Sequence, residues 1–296
     1  MKYSTEALKV LAAREEDLFH TCKQFWDQFP RIDDLNRKFP YELPELEARM
    51  QSKLKNMEEQ GLDGFICAFD PEFPRVSAKV TKGAKPYLLF YKGDISLLKA
   101  DAKVAVIGET DPTDEIRTRE EALVRYLVEQ GSVIVSGLAI GCDSVSHRTC
   151  MEAGGKTVAI LPSTIKKIIP AENRELAEKI LETGGLLLTE YEKEPASSFE
   201  QTARYVDRDR LQAIFSNAVL LIASYRKGEG DSGSRHAMEA AQKYGIACFA
   251  MYNKEKDKND VRFGLNQYYV EEKKLVPKAT KKALQETLPL KELTLF

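Results

Sequence analysis

The sequence predicts an α/β protein in which helices cover both faces of a mostly parallel sheet, with a small helical region before it. Two observations carry this prediction. From Lys103 onward, short β-branched runs such as KVAVI alternate with longer amphipathic segments, which is typical of β-α-β units and therefore of parallel strands. Residues 1 to about 60 are instead charged and helical in pattern.

The N-terminal region contains apolar residues spaced for one packed face, and prolines separate its segments. We expect a helix over residues 43–61 that ends at glycine, and a strand over residues 87–91 followed by a turn at residues 92–94. The residues of the packed face are Leu8, Leu11, Leu18, Phe19 and Phe25.

The alternating part of the chain predicts six strands and five helices. We place the strands at 103–107, 133–135, 156–161, 186–190, 218–224 and 246–251, and the helices at 114–130, 143–153, 173–183, 207–216 and 234–244. The resulting domain prediction is a helical N-terminal region at 1–64, an α/β domain at 65–285 and a C-terminal tail at 286–296.

Composition limits the function classes. A length of 296 residues with 43% apolar content suits one large domain with a smaller attachment and a substantial core. The net charge of −2 excludes a generally basic protein, although a local basic groove is compatible with it. No apolar run has membrane-spanning length, and the first residues lack the apolar stretch of a secretory signal, so we expect no membrane association.

Cysteine and histidine usage points to a reducing compartment. The five cysteines are odd in number and form no C-x-x-C pair, so we expect reduced thiols and a cytoplasmic location. The three histidines have no metal-ligand spacing with the cysteines, so we expect no metal site.

Ligands of parallel sheets bind beyond the carboxyl ends of the strands, and we call the loops there the rim. At the rim, residues 136–147 (SGLAIGCDSVSH) follow a buried strand, and a helix starts near Asp143. Gly137 and Gly141 would expose backbone amides at the start of that helix, an arrangement that binds phosphate. The alternative is an ordinary turn whose glycines only relieve backbone strain.

A second glycine-containing loop follows the strand at residues 218–224. It formally contains G-x-G-x-x-G from Gly228 to Gly233, but the spacing to the strand and the lack of a ribose-binding carboxylate argue against a dinucleotide site. We interpret residues 232–234 (SGS) as a second anion site whose hydroxyls cap the next helix. A solvated helix start without a ligand is the alternative.

Several of these segments together resemble the DprA/Smf family. The motifs occur in the family's order and spacing, at residues 70–74, 86–93, 136–143, 154–161, 170–173, 207–210, 232–234 and 264–266. The resemblance implies an extended Rossmann-like domain without catalytic activity or cofactor, which binds single-stranded DNA, forms a homodimer and helps to load a RecA-type recombinase.

The resemblance also implies which residues bind phosphate or nucleic acid. They are Gly108, Ser136, Gly137, Gly141, Asp143, Asn173, Arg208, Arg210, Ser232, Gly233 and Ser234. We add Lys166 and Lys167 because they lie on the rim, and an ordinary solvated pair is the alternative for them. Arg208 and Arg210 are two apart on a helix and so point to different faces. We expect one to reach the groove and the other to hold a carboxylate. For Asp143 and His147, a helix cap and its partner are the alternative to ligand contact.

Two departures from the family pattern keep a different function open. Where the family has Gly-Ser-Arg after its first strand, this chain has Gly108, Glu109 and Thr110. Where the family has Arg-Asn-Arg, this chain has RDR at residues 208–210. The loss of a cation and the gain of carboxylates at these positions disfavour the binding of a long polyanion such as a DNA strand. The alternative is a small-nucleotide sensor or nucleotide-processing enzyme at the same rim, with Glu109, Asp143 and Glu190 as candidate general bases.

Overall fold

A computed structural model describes residues 1–289, and within them eight strands form one sheet. The strands are β1 (Gly64–Cys67), β2 (Leu88–Gly93), β3 (Lys103–Ile107), β4 (Val133–Ser136), β5 (Thr157–Ile160), β6 (Leu186–Thr189), β7 (Ala218–Leu221) and β8 (Ala247–Ala250). Their order across the sheet is β1-β2-β6-β5-β4-β3-β7-β8. The six strands from β6 to β8 are parallel, whereas β2 pairs antiparallel with both β1 and β6. The predicted mostly parallel sheet is confirmed.

The described helices are α1 (Thr5–Glu15), α2 (Cys22–Gln28), α3 (Ile32–Lys38), α4 (Leu43–Glu59), α5 (Asp114–Glu129), α6 (Cys142–Glu152), α7 (Arg174–Glu182), α8 (Ser198–Ile214), α9 (Arg235–Tyr244), α10 (Lys254–Asp257), α11 (Gly264–Gln267) and α12 (Lys281–Thr287). Short 3₁₀ turns occupy Ile95–Lys99, Ala171–Asn173 and Val261–Phe263, and a π-helical turn occupies Tyr268–Glu272. In the part of the chain that the structure describes, every helix is too short or too polar to span a membrane.

The helices cover both faces of the sheet because successive side chains of a strand point to opposite faces. In β3, Ile107 packs with α8 and α9 on one face, while Val106 packs with α5 and α6 on the other. Helix α7 shares that second face with the N-terminal helices, which lie over β2. The predicted covering of the sheet on both faces is therefore confirmed.

The N-terminal helices pack on the sheet through the face predicted from their spacing. Leu8, Leu11, Phe19 and Phe25 are buried in one cluster with Phe90 of β2. The domain boundaries at residues 64 and 285 stay predictions. Helix α12 runs past the second boundary, and residues 290–296 of the predicted tail lie outside the described residues.

Two element boundaries differ from prediction for identifiable reasons. Helix α8 begins at Ser198 rather than near Asp207, because Ser197 caps it by accepting a hydrogen bond from the Glu200 amide, 3.1 Å away. Strand β1 was not predicted, because it has only four residues, too few for a periodic pattern. Strand β2 also runs through Gly93, so the predicted turn at residues 92–94 is displaced.

The chain direction creates one switch point in the sheet. From β3 the chain moves outward through β4 and β5 to β6, and it then crosses back along α8 to β7, on the other side of β3. The loops after β3 and β7 therefore leave toward opposite faces and open a crevice between them. In open α/β sheets this is the usual position of a ligand.

Candidate functional site

The loop after β4 is closed around a carboxylate of its own chain. The Gly137 and Ala139 amides donate to Asp143 Oδ2 at 3.1 and 3.2 Å. A loop at the start of a helix holds a phosphate oxygen with the same geometry. Here the Asp143 carboxylate takes the position of the phosphate. Any phosphate bound here would have to contact other groups of the loop.

The same loop needs glycine at the start of α6. Gly141 caps that helix with φ of +82°, and a Cβ atom there would lie 2.4 Å from the Glu109 carbonyl oxygen. The Glu109 carbonyl in turn accepts from the Cys142 amide at 3.0 Å. The loops after β3 and β4 are thus in direct backbone contact, and a side chain at position 141 would separate them.

Arg208 closes the network from α8. Its side chain is 6% exposed, donates to the Ile160 carbonyl at 3.4 Å, and forms ion pairs with Asp143 at 3.7 Å and with Asp209 at 3.0 Å. It packs so closely on Gly137 that a Cβ atom there would lie 1.3 Å from Arg208 Nη1. Arg208 therefore fixes the position of the loop after β4.

Asn173 and Ser144 hold the outer side of the loop. Asn173 Nδ2 donates to the Leu138 carbonyl at 2.9 Å, and Ser144 Oγ donates to the Ala139 carbonyl at 2.6 Å. Leu138 has φ of +59°, a conformation that costs energy for a branched residue and that these bonds maintain. Ser136 is buried and donates to the Val106 carbonyl of β3 at 2.7 Å.

The structure excludes the alternative in which Asp143 caps α6 and His147 is its partner. Asp143 is not the cap of α6, because Gly141 occupies that position and the Asp143 side chain turns back to the loop. His147 is not its partner. Its Nδ1 lies 2.7 Å from Thr157 Oγ1, and burial lowers the pKa of His147 to about 3, so the ring is neutral at ordinary pH.

A second carboxylate of the chain fills the loop after β7. Asp231 accepts from the Thr110 amide at 3.0 Å and from the Gly233 amide at 3.3 Å. The Ser234 hydroxyl, expected to cap α9, instead donates to the Gly108 carbonyl at 2.8 Å, because Ser234 itself has helical backbone angles. Ser232 remains in the turn, where its carbonyl accepts from the Arg235 amide at 3.1 Å.

Glu109 lies in the crevice between β3 and β7 without a partner for one of its oxygens. It is 1% exposed, and Oε1 has no hydrogen-bond partner among residues 1–289. Burial raises the pKa of Glu109 to about 7, and Asp260 and Asp231 add to the rise while Arg262 opposes it. The crevice therefore gains a negative charge between mildly acidic and mildly basic pH.

This titration predicts a pH-dependent effect of Glu109→Gln. In the folded protein Glu109 titrates near pH 7, and in the unfolded chain near its ordinary value of about 4.3, so its stabilising contribution is lost as pH rises through 7. We expect the difference in free energy of unfolding between the variant and the native protein to be about 2–3 kcal/mol more favourable to the variant at pH 8 than at pH 5. Urea unfolding at both pH values measures this.

Glu182→Gln is the matched control, because it makes the same substitution at an exposed position of α7 and should change the free energy of unfolding by less than about 0.5 kcal/mol. An identical profile for Glu109→Gln and the native protein would contradict the assignment of this titration to Glu109.

The other predicted cations lie apart from this network. Arg210 forms a two-point ion pair with Glu190 at 2.8 and 2.9 Å and also donates to the Ala84 carbonyl at 3.1 Å. The expectation that Arg208 and Arg210 point to different faces is confirmed, but both hold carboxylates, so neither is free to reach the groove in this state. The reason is that Asp143 of α6 and Asp209 of α8 pair with Arg208, while Glu190 after β6 pairs with Arg210.

Lys166 and Lys167 are exposed on the loop after β5. Lys167 pairs with Glu194 at 3.2 Å, while Lys166 lines a small pocket of about 270 Å³ that Arg174 of α7 also lines. Together with Lys227 on the loop after β7, they are exposed cations near the rim. Their role in binding a ligand stays a prediction.

Sequence reasoning missed two residues that shape this region. Asp231 lies in the G-x-G-x-x-G segment after β7, and the signal that could have identified it is an Asx turn before a glycine. Phe199 is 83% exposed in the first turn of α8, the helix that follows the loop after β6. The apolar positions 199, 203 and 206, spaced as on one helical face, could have indicated both the earlier helix start and an exposed stripe. Among the described residues, no group of three or more His, Cys, Asp or Glu side chains is arranged to hold a metal ion.

The sheet order and the two linked glycine loops define a Rossmann-like protein, a class in which ligands bind at the rim. The chain belongs to the DNA recombination-mediator protein A family, whose sequence model matches residues 64–286. The resemblance stated from the motifs is thereby confirmed.

Individual relatives agree with this assignment. The chain is 31% identical to the DNA processing protein DprA of Bacillus subtilis, with 56% of this chain and 53% of that protein covered. It is 30% identical to the protein Smf of a Synechocystis species, with 64% and 46% covered. The chain thus spans about half the length of these curated relatives.

Two solved structures share the fold. The DNA processing protein A of Streptococcus pneumoniae superposes with a TM-score of 0.66 at 24% identity, covering 96% of this chain and 92% of that one. The DNA processing protein A of Helicobacter pylori, for which a single-stranded DNA binding mode is described, superposes with a TM-score of 0.61 at 26% identity, covering 75% and 94%.

Proposed function

We propose that this protein binds single-stranded DNA along the rim and acts in DNA processing as a binding protein rather than as an enzyme. The observation that carries the proposal is the likeness to the Helicobacter pylori protein, over 75% of this chain and 94% of that one. The loop after β4, held by Arg208 and Asn173, supplies a rigid wall for a strand lying across the rim.

The physical basis of binding differs from a simple phosphate loop. Asp143 and Asp231 already occupy backbone amides of the two glycine loops, so these loops offer fewer free donors than their sequence indicates. We therefore assign phosphate contact to the exposed Lys166, Lys167 and Lys227, and base stacking to the exposed Phe199. Stacking on an aromatic ring is tolerant of sequence, so binding should have little base preference.

A salt titration tests this assignment. The double variant Lys166→Ala, Lys227→Ala should bind a fluorescein-labelled oligothymidylate more weakly, and the slope of log K against log salt should fall by about 1.4, or ~0.7 for each lost lysine. Phe199→Ala should weaken binding by about 1–3 kcal/mol without changing that slope. Fluorescence anisotropy measures both effects.

Lys55→Ala is the matched control, because Lys55 is an exposed lysine on α4, away from the rim. Absence of binding by the native protein at low salt would overturn the proposal. Equal losses for Lys55→Ala and the double variant would place the DNA elsewhere.

A small nucleotide at the crevice is the second candidate function, and Glu109 favours it. A buried carboxyl group with a free oxygen can bond a ribose hydroxyl, whereas a long phosphate chain would be repelled once Glu109 ionises. A thermal-shift screen with mononucleotides and dinucleotides distinguishes the two. A large shift that Glu109→Gln abolishes, without binding of DNA, would establish this candidate in place of the first.

The family resemblance further supports a homodimer, a RecA-type partner and a cytoplasmic location as parts of the proposal. Analytical ultracentrifugation tests the first of these, and capture of purified recombinase on DNA coated with this protein tests the second.

A further inference from the structure

A second polar cavity lies on the edge of the sheet opposite the rim. Its volume is about 630 Å³, and it is enclosed by residues 71–75 after β1, residues 98–103 leading into β3, and residues 214–217 between α8 and β7. Because β3 and β7 begin here, this cavity lies at the amino ends of the parallel strands. It shares no lining residue with the loops that form the rim.

The floor of this cavity is apolar. Phe73, Leu98 and Phe215 line it and are themselves buried in the core, and Pro71 and Pro74 stiffen the wall beside them. A flat or compact apolar group can pack here without displacing any charged residue. The cavity volume lies within the range of about 300–1,000 Å³ that is usual for small-molecule sites.

The mouth of the cavity is cationic. Arg75 and Lys99 are exposed there, and Lys103 is half-buried. Asp101 is the one acidic residue among the described residues that line the cavity. Among residues 1–289, none of these three cations has a carboxylate within 4.0 Å. Three cations and one acid leave a charge of about +2, and the C-terminus of α8 reduces it by only about half a charge, so the field favours an anion.

An unsatisfied hydroxyl adds a polar contact to this charge. Ser216 is buried, and its Oγ has no hydrogen-bond partner among the described residues. The neighbouring Asn217 accepts a hydrogen bond from the Lys103 amide through Oδ1, at 2.8 Å. The side-chain NH₂ group of Asn217 is therefore available as a donor. Buried polar groups without partners are rare in native proteins and call for a ligand or water.

We propose that this cavity binds a small organic phosphate of mononucleotide size. Its apolar body packs on the floor made by Phe73 and Phe215, its phosphate pairs with Arg75 and Lys99, and Ser216 bonds one of its acceptors. Binding here is independent of DNA binding at the rim, because the two sites lie on opposite edges of the sheet. The site therefore gives the protein a place for a small ligand in addition to DNA.

Isothermal titration calorimetry with ADP, GDP, CDP and UDP tests the proposal. We expect at least one of them to bind with a Kd below about 1 mM, and the corresponding nucleoside and inorganic phosphate each to bind at least about tenfold more weakly. Arg75→Glu and Lys99→Glu should each weaken nucleotide binding at least about tenfold and leave oligothymidylate binding at the rim unchanged.

Lys55→Glu is the matched charge reversal away from the cavity and should leave nucleotide binding unchanged. Failure of all four diphosphates to bind at about 5 mM would overturn the proposal. A nucleotide affinity that responds to Glu109→Gln but not to Lys99→Glu would overturn it as well, because the ligand would then occupy the crevice at the rim.

Discussion

Gly137→Ala is expected to lower the free energy of unfolding by about 3–5 kcal/mol and to weaken the DNA binding that we propose at the rim. The new methyl carbon would lie 1.3 Å from Arg208 Nη1 and 2.8 Å from Asp143 Oδ2. The Arg208 side chain is buried and pairs with Asp143 and Asp209, so it cannot move aside without losing these contacts. The alanine must therefore break the ion pair or displace the loop. Urea unfolding followed by circular dichroism measures the loss.

Gly233→Ala is the matched control for this substitution. Gly233 also lies on a rim loop, but its nearest neighbour would be Asp231 Oδ1 at 3.5 Å, an ordinary contact. Its free energy of unfolding should change by less than about 1 kcal/mol. Similar stability for Gly137→Ala and Gly233→Ala would show that the Arg208 side chain does not rest on Gly137.

Arg208→Met should destabilise the protein by about 3–5 kcal/mol at pH 8, because it leaves Asp143 and Asp209 buried without their shared cation. Burial raises the pKa of Asp143 and Arg208 lowers it, so removal of Arg208 raises the pKa further. Carboxyl groups with raised pKa values become ionised as pH rises, at a cost to the folded state. The destabilisation should consequently be smaller at pH 5 than at pH 8.

A second substitution separates charge from packing in this variant. Adding Asp143→Asn removes one uncompensated charge but keeps an oxygen that accepts from the Gly137 and Ala139 amides. We expect the double variant to recover about 1–2 kcal/mol relative to Arg208→Met at pH 8. Arg148→Met, at an exposed arginine of α6, should change stability by less than about 0.5 kcal/mol. A pH-independent loss with no recovery would mean that Arg208 acts through packing alone.

The strands and most helices of the α/β region could be predicted from sequence because their patterns are local. Residues 103–107 form β3 as expected, since a β-branched run between polar residues has few other stable conformations. The first half of α8 was missed although Phe199, Ala203 and Val206 are spaced as on one helical face, because three apolar residues among polar ones are a weak signal.

The rim was only partly predictable, for a physical reason. That Gly137 and Gly141 must be glycine follows from a strand-turn-helix pattern, and the structure explains both through close contacts. The sequence could not show that Asp143 turns back into the loop, or that Arg208 and Arg210 both meet carboxylates. Those contacts depend on which loops the sheet topology brings together, and spacing along the chain carries no information about that.

The dependence of the Gly137 loop on Arg208 also has a consequence for the order of folding. The loop directly follows β4, but the side chain that supports it arrives only with α8, after β5, α7 and β6 have been added to the sheet. Such a non-local contact forms late, because the intervening chain must first be ordered. A chain that ends before residue 208 would contain β3 to β6 but would lack the side chain that supports the loop after β4. We therefore expect that loop to become ordered only after α8 has packed on the sheet.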